Sequence, residues 1–138
     1  MGTFGTSFSL LNGALFAGFL SRIVPGVDGA IDEAAQEIID LAVNEIQSRL
    51  YPGHGYLTGV LHDSYSGKYT KSGTSVVNIS IGTDVYYAPF VEFKWGGRCA
   101  HFFPAMNVVE PQVPDIIKKH IKGVLGIGSW LQLILGFW

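Results

Sequence analysis

Val76-Val77-Asn78-Ile79-Ser80-Ile81 interleaves β-branched residues with small polar ones. That two-residue period belongs to a strand with one covered and one open face. Upstream the period changes. Ile31, Ala35, Ile38, Ala42, Ile46 and Leu50 recur at steps of three and four, while Asp32, Glu37, Asp40, Asn44 and Gln47 mostly fall elsewhere. This spacing predicts a long helix with one buried stripe. Asp28 is its expected N-cap, Asp32 and Glu33 complement the helix dipole in the first turn, and Pro52-Gly53 and Gly55 close it. Leu61 to Tyr69 is expected to pair antiparallel with the quoted strand across Lys71-Ser72-Gly73, and Arg98 to Phe103 to add a third strand. Tyr86 to Phe93 reads as a short helix, because Pro89 cannot donate in a ladder but fits a first helical turn. Pro111 and Pro114 open a closing helix with Ile116, Ile117, His120, Ile121 and Val124 on its apolar side and Gly123 at its end. The fold class that follows is α+β: a small antiparallel β-sheet packed by a long helix in the N-terminal half and a C-terminal helix.

The chain of 138 residues suits a single domain, 1–138, with a core at about 28–123 and apolar extensions at 1–27 and 124–138. Only 14% of its residues are charged and 48% are hydrophobic, with nine Phe, six Tyr and three Trp. The usual charged share is about 25%. A small domain has too much surface to cover with so few charges, so the apolar surplus calls for protein contacts. The formal net charge of −2 gives no basic field for gripping phosphates, which argues against nucleic-acid binding by counterion release. The first 21 residues are uncharged, with Phe8, Leu10, Leu11, Leu15, Phe16, Phe19 and Leu20 in a partly helical spacing, yet they lack the basic start of a signal peptide. The sixteen residues from Gly123 are also uncharged, but fewer than the roughly 20 of a membrane-crossing helix. A membrane role for these ends, with Lys118 to Lys122 facing head groups, is the alternative they leave open.

Reactive side chains are sparse. Cys99 is the single cysteine, so no intrachain disulfide is expected and a reducing cytoplasm fits. Cys99, His101, His54 and His62 lack the close pair spacing of a structural zinc site, and no thiol-nucleophile signature surrounds Cys99. No glycine-rich phosphate loop occurs. Lys118, Lys119 and Lys122 read as a solvated helix end. Glu92 is the one acid in the nine-residue run from Val85 to Phe93. A carboxylate there needs water or a partner, and pairing with Lys94, Arg98 or a neighbouring subunit's cation is expected. No catalytic, metal or cofactor residues are expected.

Thr58-Gly59-Val60-Leu61-His62-Asp63-Ser64, Gly82-Thr83, Tyr87-Ala88-Pro89-Phe90-Val91-Glu92-Phe93 and Phe102-Phe103-Pro104-Ala105 occur in that order. Together they resemble the tail-completion and head-to-tail joining proteins of tailed bacteriophages, the family related to minor tail protein Z. The resemblance covers roughly residues 28 to 123 and rests on Thr58, Gly59, Leu61, Ser64, Gly82, Tyr87, Ala88, Val91, Glu92, Phe93, Pro104 and Ala105. It departs from the family at Val60, where a basic residue is usual, and at Lys94-Trp95, which precede Gly96-Gly97. It implies a structural virion protein, made in the host cytoplasm, with no enzymatic activity and no cofactor. Such a protein forms a ring of six subunits, or of twelve where it mates directly with the portal side. The implied partners are a connector, stopper or portal-side protein on one side and the tail tube or terminator on the other. Genome DNA passes through without sequence-specific binding, and no membrane is involved. Phe16, Phe19, Trp130 and Trp138 are the candidate anchors between subunits or rings.

Overall fold

The computed structural model describes residues 4–9, 27–56, 58–72 and 76–125. The candidate anchors Phe16, Phe19, Trp130 and Trp138, together with Gly73, lie outside them.

Strand β1 (Phe4–Ser9) is followed by helix α1 (Val27–Ser48) and two dipeptide strands, β2 (Tyr51–Pro52) and β3 (Gly55–Tyr56). A one-turn helix α2 (Val60–Ser64) leads into strands β4 (Ser66–Ser72) and β5 (Val76–Thr83). Helices α3 (Ala88–Gly97), α4 (Phe102–Val109) and α5 (Val113–Leu125) complete the described residues, a 3₁₀ turn at Glu110–Gln112 joining the last two. The architecture is α+β.

The helical stripe is realised residue for residue: Ile31, Ala35, Ile38, Ala42, Ile46 and Leu50 are all buried. They pack on Val77, Ile79 and Ile81, the inward positions of β5, and on Phe102, Ala105, Val109, Ile116 and Ile121 of the later helices. β5 is the central strand in the order β1-β5-β4, both pairings antiparallel. Phe4 faces Thr83 on one side of it, and Ser66 faces Gly82 on the other. Between the outer elements, Lys71 on β4 reaches Asp32 on α1 at 2.8 Å, and Lys119 on α5 reaches Glu37 at 2.7 Å. Lys119 first, then His120, hold the Glu37 carboxyl below its ordinary value against the opposing effect of desolvation.

Several expectations are corrected. The third strand is β1, not Arg98 to Phe103; left-handed Gly96 and Gly97 turn the chain there and helix α4 begins at Phe102. Within Leu61 to Tyr69, only the part from Ser66 is strand, because Val60–Ser64 coils into α2. Helix α1 starts at Val27, which puts Asp28 inside the first turn instead of ahead of it. Gly123 does not end the closing helix, which runs on to Leu125. The short helix expected at Tyr86 to Phe93 is present as α3, with Pro89 in its first turn.

Ile46 is fully buried at the centre of this packing. Ile46→Ala is expected to destabilise the fold by about 2–5 kcal/mol, read as a lower urea midpoint at unchanged slope.

Candidate functional site

The resembling segments converge at one end of the molecule, around the start of α4. A helix start leaves four N–H groups without intrahelical partners. Here those four positions are His101, Phe102, Phe103 and Pro104. Glu92, 1% exposed, accepts three of them: His101 N–H at 3.0 Å and Phe102 N–H at 2.8 Å on Oε1, and Phe103 N–H at 3.2 Å on Oε2. The fourth residue is proline and has no N–H to satisfy. Glu92 and Pro104 therefore solve one problem together. The expected cation beside Glu92 is replaced by the partial positive charge of the helix start, which stabilises a carboxylate through the same aligned dipoles that bind anions.

His101 closes the network. Its Nδ1 lies 3.1 Å from the Cys99 carbonyl and 3.3 Å from Glu92 Oε1, and its Nε2 lies 2.7 Å from the Tyr65 hydroxyl. A carbonyl only accepts, so Nδ1 carries a proton, and in the neutral imidazole Nε2 accepts from Tyr65. Burial pushes it below its ordinary value, against the Cys99 carbonyl and the Glu92 carboxylate, which pull the other way. Burial, and after it the Glu92 charge, push the Tyr65 hydroxyl well above its ordinary value. Tyr65, Glu92 and His101 are all buried, so none of them faces solvent as a general acid or base would.

A second link joins α2 to the end of β5. Ser64 Oγ donates to the Leu61 carbonyl at 2.7 Å, which leaves the Thr83 hydroxyl to donate to Ser64 while accepting Val85 N–H at 3.1 Å. Leu61 is buried beneath it. Gly59 begins α2 at φ 83°, a left-handed conformation that disfavours any side chain. Gly82 answers a different need: a Cβ there would lie 2.4 Å from the Phe4 carbonyl oxygen, so β1 sits against β5 only because position 82 has none.

Of the other resembling residues, Ala88 and Ala105 are buried, Tyr87, Val91 and Pro104 are half-buried, and Thr58 and Phe93 are exposed. Thr58 stands apart, outside both links. Tyr65 and His101 are absent from the residues singled out by sequence. Nothing in the chain separates His101 from the other three histidines, and only its position directly before Phe102-Phe103-Pro104 hints at a helix start.

Around the buried network the surface is aromatic. Phe90, Phe93, Trp95 and Phe103 are 68%, 60%, 65% and 47% exposed. Phe93 and Phe103 pack on each other at 5.9 Å between ring centroids, and Phe4 touches both edge-on. Trp95 has φ 55° and ψ 39°, unusual for a bulky residue, and Lys94 Nζ sits 4.5 Å from its ring centre. This left-handed turn breaks α3 after Phe93. Among the described residues no group of three His, Cys, Asp or Glu side chains is placed to hold a metal. Comparison with family models, with curated proteins and with solved structures returned no match to this chain.

Glu92→Ala strands three backbone donors and opens a void, and is expected to cost about 3 kcal/mol by chemical denaturation. The pH response follows from His101. Because its folded value lies below the ordinary 6.5, the unfolded chain binds the proton first as pH falls. Stability is therefore expected to drop from about pH 6.5 downward, by about 1.4 kcal/mol for each unit of depression. Urea midpoints between pH 8 and 5 check this, and His101→Gln should flatten that part of the profile.

Proposed function

We propose that this protein is a structural component of a tailed-phage virion, acting without catalysis. Copies close into a ring of six or twelve in the neck, join tail to head and leave a channel for DNA. The observation that carries this reading is the exposed aromatic surface built directly over the Glu92-capped joint. Four large rings held out beside a rigid, fully hydrogen-bonded support suit a permanent protein interface, where aromatic anchors dominate the binding energy. Such a surface is costly on a monomer. The support comes from the residues that resemble the head-to-tail joining family, and the chain's low charge is consistent with a conduit that does not hold phosphates.

In this reading one face of the ring meets the connector, stopper or portal side, and the other meets the tail tube or terminator. The alternative is a small membrane-associated protein, favoured by the uncharged residues 1–21 and 123–138. Among the described residues no helix is long and apolar enough to cross a membrane. That alternative would therefore depend on surface attachment or on segments outside those residues.

Purified full-length protein is expected to give closed rings in negative-stain images, with a solution mass of six or twelve copies. A monomer at all concentrations, floating with anionic phosphatidylserine vesicles, would reject the ring in favour of the membrane alternative.

A further inference from the structure

Residues 85–109 hold three charged side chains, Glu92, Lys94 and Arg98. Glu92 is buried against the start of α4, whereas Lys94 and Arg98 are exposed. The aromatic shelf of Phe90, Phe93, Trp95 and Phe103 therefore presents two cations to solvent and no acid. Lys94 lies against the Trp95 ring, so charge and aromatic surface are interleaved there. Neither cation meets a carboxylate among the described residues. The capping of α4 thus has an outward effect: it withdraws the one negative charge of this stretch from the surface.

The opposite charge is concentrated on a single element. Helix α1 carries six of the eleven acidic residues of the chain and no Lys or Arg. Asp32, Glu37 and Glu45 are met by Lys71, Lys119 and Arg49 of the same copy. Glu33 and Asp40 are exposed and meet no Lys or Arg among the described residues: Glu33 lies 3.5 Å from His120, and Asp40 accepts from Gln36 at 3.0 Å. Glu33, Gln36, Asp40 and Val43 follow one another at steps of three, four and three, which sets them in one strip along the helix. Val43 is half-buried, so the strip also offers apolar surface beside Asp40.

These charges select the occupant of the shelf. Two copies placed shelf on shelf would set Lys94 and Arg98 of one against those of the other, and like charges facing each other across an interface are strongly unfavourable. Strip against strip repels for the same reason. Shelf against strip brings two cations to two acids, and within one copy no ion pair joins them.

We propose that the aromatic shelf of one copy, with Lys94 and Arg98, docks on the Glu33 and Asp40 strip of α1 of the next copy. The contact joins two different surfaces and is heterologous, so repetition with a closing rotation forms a ring with no free edge. The rings supply the buried apolar area, and the opposite charges fix partner and register. This inference rests on the ring reading above, whose contacting surfaces it names.

The test is charge reversal in the full chain, read by the half-association concentration in sedimentation velocity and by negative-stain images. Lys94→Glu with Arg98→Glu makes both surfaces acidic, and Glu33→Lys with Asp40→Lys makes both basic. Each variant alone is expected to associate at least tenfold more weakly than the parent, the effect of losing about 1.4 kcal/mol. Mixing the two lets every shelf meet a strip of opposite sign, and should restore the parent value, as should one chain carrying all four changes. The four side chains are exposed, so urea midpoints are expected to match the parent. Because Glu33 touches His120, Asp40→Lys alone is the companion variant and should weaken association in the same direction. Association that ignores reversal of the strip, or that both reversals weaken without recovery in the mixture and the fourfold variant, would overturn the inference, while rings of the parent in the same images keep the ring reading. Flotation of the parent with phosphatidylserine vesicles that Lys94→Glu with Arg98→Glu abolishes, together with indifference to the strip, would assign the shelf to a lipid surface and overturn it too. Open chains that follow the charge-swap pattern would uphold the docking and reject the ring. A parent that stays monomeric at every concentration overturns both.

Discussion

A buried carboxylate on the start of a helix is the interaction on which this end of the molecule depends. Glu92 could not be taken out of water alone, since an unpaired charge in the interior is prohibitively costly. The start of α4 could not be buried alone either, since its N–H groups would lack acceptors. Each makes the other tolerable. The chain meets the requirement with a side chain on α3, three backbone donors from His101 to Phe103, and a proline at the one remaining position. His101 and Tyr65 extend the network to the junction between α2 and β4.

This joint has a mechanical consequence. Side chains spent on holding backbone together are not available as acids, bases or ligands, and the residues of the network face inward. The outward-facing part is the ring cluster on α3 and α4. Aromatic surfaces gain binding energy only when their support does not yield, because ordering a loose partner consumes the gain. Phe93 and Phe103 sit directly beside Glu92 and the N–H groups that it caps.

Much of the fold was legible before any coordinates. The α1 stripe was readable because a helix packed along one side repeats its buried positions every three or four residues, and nothing else in the chain competes with that pattern. β5 was equally plain, since Val77, Ile79 and Ile81 alternate with Asn78 and Ser80. The misreading of Arg98 to Phe103 had a physical cause. A six-residue segment of this kind carries no readable period, and the Gly96-Gly97 turn with the Glu92 cap decides for helix from outside the segment. β1 was hidden for the same reason: Gly5 and Ser7 look like loop residues until β5 is there to pair with them.

What the amino-acid order determined by itself is local and periodic: the amphipathic helices, the central strand, the proline-marked helix starts and the shortage of charge. Only the tertiary structure decided the partner of Glu92, because its donors lie nine to eleven residues away on another helix and a carboxylate does not record what it will meet. The same holds for the histidine chosen from four, for the absence of a side chain at Gly82 where β1 crosses, and for the aromatic residues left exposed. Periodicity reports how a segment relates to one surface. Pairings between segments depend on distances that exist only once the chain is folded.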